Sequence, residues 1–332
     1  MKRIFSGIKP TGHLTLGNYL GAVRRWVEVD QYVSDSLFSV VDLHALTVDH
    51  DPARVRRLSR QAATLMLAAG LDPKLCTLFV QSHVDEHARL SYLLECTATD
   101  GELRRMIQYK EKGARAVAAG QGVRLSLLTY PVLMAADILA YGTDEVPVGE
   151  DQTQHVELTR DLAVRFNQRY GHVFTVPKAT HPEVAARVMD LQDPGSKMGK
   201  SHENGAGIVY LLDDEETVRR KIMRAVTDSG RDVAYDREGR PGVANLLDLL
   251  AASTGGNPEA LAGVYESYGS LKRETADAVV EMLRPVRERH AELAADPGYV
   301  DQVLREGAER ARGMARPLVD RAYRAIGLMP AG

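Results

Sequence analysis

Three short β-prone runs, each followed by a helical stretch, constrain this chain more than any other feature. RIFSGI (Arg3 to Ile8) hands over through KPTGHLTLGN to an amphipathic stretch, Tyr19 to Val29. LFSVVDLHAL (Leu37 to Leu46) precedes a helix starting near Asp51 and Pro52, a natural N-cap followed by a residue preset for the first turn. CTLFVQS (Cys76 to Ser82) precedes a third helical stretch. Strands alternating with helices imply right-handed crossovers and a parallel sheet. The expected fold class is therefore α/β, a Rossmann-like parallel sheet with helices on both faces. Ligands of such sheets sit beyond the carboxyl ends of the strands. The loops Lys9 to Asn18, Asp42 to Thr47 and Gln81 to Asp85 are predicted to line one cleft.

Past about Tyr210 the texture changes to charge-rich stretches of helical period, such as DDEETVRRKIMRAV, which predicts a C-terminal all-helical domain. A length of 332 residues fits two domains, at about 150 residues each. With 44% apolar and 26% charged residues the chain is neither disordered nor collagenous. Cys76 and Cys96 are too few for a disulfide framework or a zinc finger. The formal net charge of -3 argues against a general nucleic-acid coat, and DNA is not expected as a partner. The least polar stretch, Leu125 to Gly142, carries Pro131 and Asp137 near its middle; an acid there is costly in lipid, so it reads as buried structure and no membrane association is expected. The N-terminus lacks an apolar export segment, which favours the cytoplasm.

Three segments carry chemistry. GIKPTGHLTLGN (Gly7 to Asn18) places Gly12 and Gly17 where a strand meets a helix, suited to close backbone approach to a nucleotide, although such glycines also serve as plain turns. DPGSKMGKS (Asp193 to Ser201) brings two lysines three residues apart beside a serine, suited to a polyphosphate or simply to a solvated surface. In GEDQTQHVEL (Gly149 to Leu158), Asp151 caps a helix from about Gln152, or Glu150, Asp151 and Gln152 together suit a ribose or an ammonium group.

Taken together, GHLTLGN, VDLHALT (Val41 to Thr47), GELRRMIQYKEK (Gly101 to Lys112), LLTYPVLMAADILAYGTDEVPVGEDQTQHVELTRDLA (Leu127 to Ala163) and SKMGKS closely resemble the bacterial tryptophanyl-tRNA synthetase family. The likeness runs through RRKIMRAVTDS and GRPGVANLLDLL into the last helical stretch. It implies a class I aminoacyl-tRNA synthetase that activates L-tryptophan with ATP and Mg²⁺, releasing pyrophosphate, and then loads tRNA(Trp) as a homodimer. Residues 1–205 would form the catalytic domain with both signature loops. Residues 206–332 would bind the anticodon, with a final helix packing back on the catalytic domain.

The resemblance also implies site roles. Lys9, Pro10 and Thr11 would stand beside ATP; Gly17 would touch adenine, and Thr15 and Asn18 would donate to phosphate. Lys197, Met198, Gly199, Lys200 and Ser201 take the place of the second signature, with both lysines following the leaving pyrophosphate. Gly149, Glu150 and Asp151 would contact ribose, Val188 and Met189 an adenine edge, and Lys112 a further phosphate. Gln152 and Tyr130 would hold the substrate ammonium. Asp137 would accept the indole N–H, with Phe5, His44, Met134 and Val148 walling the slot. No protein group is expected to ligate a metal. Arg305, Arg312 and Arg316 either join the tRNA footprint or form a solvated helix face.

Two positions depart from the family pattern. Gly199 stands where serine is usual, and Lys9 where glutamine is common; the latter predicts an altered response to metal and to substrate analogues. The rival readings are a tyrosyl-tRNA synthetase, a non-catalytic paralogue that senses tryptophan or binds RNA, and an accessory synthetase beside a housekeeping one.

Overall fold

The computed structural model describes residues 2–118, 120, 122–181, 188–199, 205–230 and 232–329. Five parallel strands form one sheet: β1 (Arg3–Ile8), β2 (Asp35–Val40), β3 (Thr77–Val80), β4 (Glu145–Pro147) and β5 (Lys178–Thr180), in the order β3-β2-β1-β4-β5. The α/β expectation holds, and the direction of strand order reverses between β1 and β4.

Both faces of the sheet are buried, so successive strand residues enter different cores. Phe38 and Leu78 join one hydrophobic cluster, while their neighbours Leu37 and Phe79 join the other. On the first face Trp26 stacks on Phe38 with ring centroids 4.9 Å apart. The Pro52–Ala68, Pro241–Thr254 and Tyr268–Ala295 helices complete that layer. On the second face lie the Glu86–Glu95, Leu125–Leu139, Thr153–Tyr170 and Pro297–Ala325 helices. Each fully buried Phe or Leu contributes roughly 1.5–3 kcal/mol.

Local chemistry explains most boundaries. Asp51 caps the Pro52–Ala68 helix, its carboxylate accepting from the N–H groups of Ala53 and Arg54. Leu125 to Leu139 is a helix with Pro131 inside it, exposed at Leu125 and buried over most of Pro131 to Leu139, and no described helix is long and apolar enough to cross a membrane. The predicted strand Leu37 to Leu46 is shorter than expected. It stops at Val40, because the Asp42 carboxylate accepts from the backbone and hydroxyl of Ser82 and the chain turns into a 3-10 helix over Leu43–Thr47. The stretch after the first loop is wound partly as π-helix, over Tyr19–Val23 and Trp26–Asp30.

The Pro297–Ala325 helix lies against β3, the edge strand. Gly307 sits so close to the Leu78 carbonyl that any side chain there would collide with it. Arg312 donates to the carbonyl of His83 at 2.6 Å, and Arg316 reaches the buried Glu86 at 3.4 Å. Two of the three arginines considered for tRNA are thus anchored to the segment that follows β3.

Candidate active site

A cleft of about 520 Å³ opens where β1 and β4 part, beyond their carboxyl ends, the switch point at which such sheets bind ligands. Of the expected residues, Phe5, Lys9, Thr11, Asn18, His44, Lys112, Tyr130, Met134, Asp137, Val148, Gly149 and Gln152 line it. The loops after β1 and β2 and the turn after β4 supply the mouth. The third predicted loop, Gln81 to Asp85, does not line the cleft; it turns behind the floor, where Gln81 is fully buried.

Asp137 forms the floor and is 1% exposed. Its Oδ1 accepts from Gln81 Nε2 at 2.7 Å and from His87 Nδ1 at 2.5 Å, and its Oδ2 from His44 Nε2 at 2.8 Å. Burial alone would raise this carboxyl, but the adjacent histidines outweigh it and hold the group down to about 2. The protein supplies three donors, and His44 is one of them rather than only an apolar wall.

Cations gather at the opposite end. Lys9 Nζ donates to the Thr47 hydroxyl at 3.1 Å, and burial together with the nearby Lys112 charge lowers its pKa to about 8. Lys112 donates to Gln108 at 2.9 Å and lies 5.7 Å from the Tyr130 ring centroid; burial lowers its pKa too. Ammonium groups desolvated together are stabilised by an anion between them. Lys197 projects from the second signature toward the same rim, its Nζ within 4.0 Å of where a side chain on Gly149 would begin.

The two signature loops touch directly. A side chain on Gly17 would meet the Met198 carbonyl at 3.0 Å, so glycine permits this approach. Met198 N–H donates to the Val188 carbonyl at 3.0 Å, and Met189 bridges Lys197, making a small hairpin. Asn245 tethers that hairpin from the C-terminal helices: its Oδ1 accepts from Met189 N–H at 2.9 Å and its Nδ2 donates to the Met189 carbonyl at 3.0 Å.

Several expected residues lie elsewhere. Thr15 is fully buried; its hydroxyl accepts from Asn18 N–H, and Asn18 Oδ1 accepts from Thr15 N–H, a capping box that takes Thr15 away from phosphate. Asn18 lines the cleft nonetheless. Pro10 and Met198 are buried under the loops, and Val188 and Met189 do not line the cleft, both main-chain groups of Met189 being held by Asn245. Asp151 does not cap the helix behind it; its carboxylate accepts from Gln152 Nε2 at 2.8 Å and stays at the exposed mouth. The Tyr130 hydroxyl pairs with His155 Nε2 at 2.7 Å and Gln108 at 3.3 Å, so its interior partners are already protein groups. Gly199 is partly exposed at the end of the hairpin. Lys200, Ser201 and the side chain of Glu150 lie outside the described residues. Sequence reasoning missed Gln81, His87, Tyr141 and Asn245. Only the acid in an apolar run hinted that such partners must exist.

The family "tRNA synthetases class I (W and Y)" matches residues 1–284. Over 331 residues the chain is 79% identical to tryptophan–tRNA ligase 1 of Streptomyces avermitilis, covering 100% of each. It is 48% identical to tryptophan–tRNA ligase 2 of the same organism, over 99% of this chain and 98% of the relative. The fold superposes on tryptophanyl-tRNA synthetase from Mycoplasma pneumoniae with a TM-score of 0.91 at 36% identity, covering 99% and 98% of the two chains. The synthetase from Campylobacter jejuni complexed with ADP and tryptophan matches with a TM-score of 0.83 at 33% identity, over 98% and 100%.

Proposed function

The chain belongs to the class I tRNA synthetases for tryptophan and tyrosine, and we propose that the cleft between β1 and β4 is where it performs that family's chemistry. Its activity is tryptophan–tRNA ligation. The tryptophan carboxylate attacks the α-phosphorus of ATP, giving tryptophanyl-adenylate and pyrophosphate, and a ribose hydroxyl at the tRNA 3′ end then takes the acyl group and releases AMP. The tyrosyl and non-catalytic readings yield to two full-length relatives that are both tryptophan–tRNA ligases.

The observation that carries the site assignment is one cleft with a buried acid at its floor and ammonium groups at its mouth. Asp137 accepts the indole N–H, between Phe5, His44, Met134 and Val148. Gln152 and the edge of Tyr130 face the substrate ammonium. Gly17, Gly149 and Asp151 face the nucleoside, and Lys9, Asn18, Lys112 and Lys197 face the phosphates. Displacement at phosphorus needs no protein nucleophile; positioning and neutralisation of the departing pyrophosphate provide the acceleration. Mg²⁺ bound together with ATP would be held by the hard oxygens of the triphosphate, beside Lys9 and Lys112. Its role there is to spread charge over the leaving group.

Residues 206–332 take the anticodon, and the enzyme works in the cytoplasm as a homodimer. Tyr92, Ile107 and Leu125 are 68%, 58% and 72% exposed on helices that adjoin one another, an apolar set that a second copy could cover. ATP–pyrophosphate exchange run over the standard amino acids tests the assignment. Exchange with tryptophan alone is expected, and exchange with tyrosine instead would overturn it.

Lys9 adds a pH signature. Because burial lowers its pKa to about 8, it is a cation below that pH and neutral above it. Binding of an anionic substrate therefore weakens as pH rises through about 8. The ATP KM should climb over that range in the wild type and stay flat in Lys9→Gln, whose Mg²⁺ requirement should also rise. Identical pH and metal curves for both proteins would remove Lys9 from the phosphate site.

A further inference from the structure

We propose that Tyr141 and His87 form a fixed hydrogen-bond chain behind Asp137 and act as positioning residues for recognition of the substrate's ring N–H. The inference rests on Asp137 being the indole acceptor. It adds what keeps that acceptor ionised and aimed.

An ionised carboxylate offers about four acceptor directions and no hydrogen. Gln81 and His87 fill both on Oδ1, and His44 fills one on Oδ2, leaving one on the oxygen whose residue lines the cleft. Since the carboxylate can only accept, His87 Nδ1 must carry the hydrogen. Its other nitrogen, Nε2, lies 2.6 Å from the Tyr141 hydroxyl. With a neutral His87 carrying its hydrogen on Nδ1, Nε2 is a lone-pair acceptor, and the Tyr141 hydroxyl, which burial keeps protonated, donates to it. The chain thus runs Tyr141 Oη–H to His87 Nε2, then Nδ1–H to Asp137 Oδ1.

Neither ring can move easily. His87 is fully buried and Tyr141 is 1% exposed. Tyr141 stacks on Phe5 at 5.7 Å and meets the edge of Phe79 at 5.9 Å. Gln81 is locked as well, its Oε1 accepting from Leu43 N–H at 3.0 Å while its Nε2 serves Asp137. Without the tyrosine hydroxyl, His87 can place its hydrogen on Nε2 and turn a lone pair toward Asp137. The Nδ1–H bond to Oδ1 is then lost, and the carboxylate that faces the ring N–H is no longer held in its aim.

The test compares tryptophan with benzothienylalanine, an isostere whose ring sulfur replaces the N–H, in ATP–pyrophosphate exchange. Wild type should prefer tryptophan by at least about a hundredfold. Tyr141→Phe, which keeps the ring stack, should lower that preference by up to about tenfold, the scale of one ordinary hydrogen bond, with the ATP KM unchanged. His87→Asn keeps a donor near the Nδ1 position and should retain most of the preference, whereas His87→Leu should lose it. If wild type shows no preference, the Asp137 assignment itself is wrong. If wild type discriminates but the preference survives in Tyr141→Phe, or both substrates fall in parallel, the chain is not a positioning device.

Discussion

Replacing Asp137 by asparagine is expected to collapse the enzyme's preference for tryptophan over phenylalanine, by a factor approaching about ten-thousandfold in kcat/KM. Phenylalanine has no ring N–H, so binding it leaves the one open acceptor direction on Asp137 Oδ2 unfilled in a dry slot, and that penalty is the origin of the selectivity. An asparagine amide is neutral and presents a donor as well as an acceptor to neighbours that all donate: Gln81, His87 and His44. Loss for tryptophan should therefore be large and loss for phenylalanine small. The fold should weaken as well, by about 3–5 kcal/mol, since one member of a buried charged network is removed. Because the carboxyl stays ionised to about pH 2, its stabilising effect is present above its ordinary value near 3.8 and lost only as the pH falls through about 2. The preference should accordingly be flat between about pH 5 and 8. An Asp137→Asn enzyme that still chose tryptophan by the wild-type margin would show that another group reads the ring.

The second large effect falls on rate rather than choice. Lys197→Ala is expected to lower kcat of pyrophosphate exchange by about 10²–10³, the loss typical when one preorganised stabiliser of developing charge is removed. Lys197 is exposed on a hairpin that Asn245 holds against the first signature loop, and it reaches the rim beside Gly149. An exposed side chain with that placement contributes little to the empty fold, so Tm should be unchanged. The tryptophan KM should also be near wild type, because the lysine faces the triphosphate end. A fall in kcat of less than tenfold would mean that Lys197 does not accompany the leaving group.

What the sequence disclosed followed from range. The Asp51 cap and the apolar run within Leu125 to Leu139 depend on neighbours a few residues away, and local pattern exposes them. β1 and β3 are apolar runs because both sheet faces are covered. β4 and β5 have three residues each and include Pro147 and Lys178, too brief and too polar to announce a strand. The partners of Asp137 stand 50 and 56 residues away from it in the chain, and no periodicity links an acid on a helix to a glutamine after β3. Thr15 misled for a related reason. A hydroxyl at a helix entrance can cap or donate, and only the geometry shows that this one caps.

The long helix over Pro297–Ala325 shields the edge of β3, yet all five strands precede it in the chain. During synthesis the ribosome therefore releases a nearly finished sheet whose outer strand still presents bare amides and carbonyls, the kind of border to which stray chains adhere. The enzyme passes through this vulnerable interval on every round of translation. The interval closes when that helix seats Gly307 over Leu78.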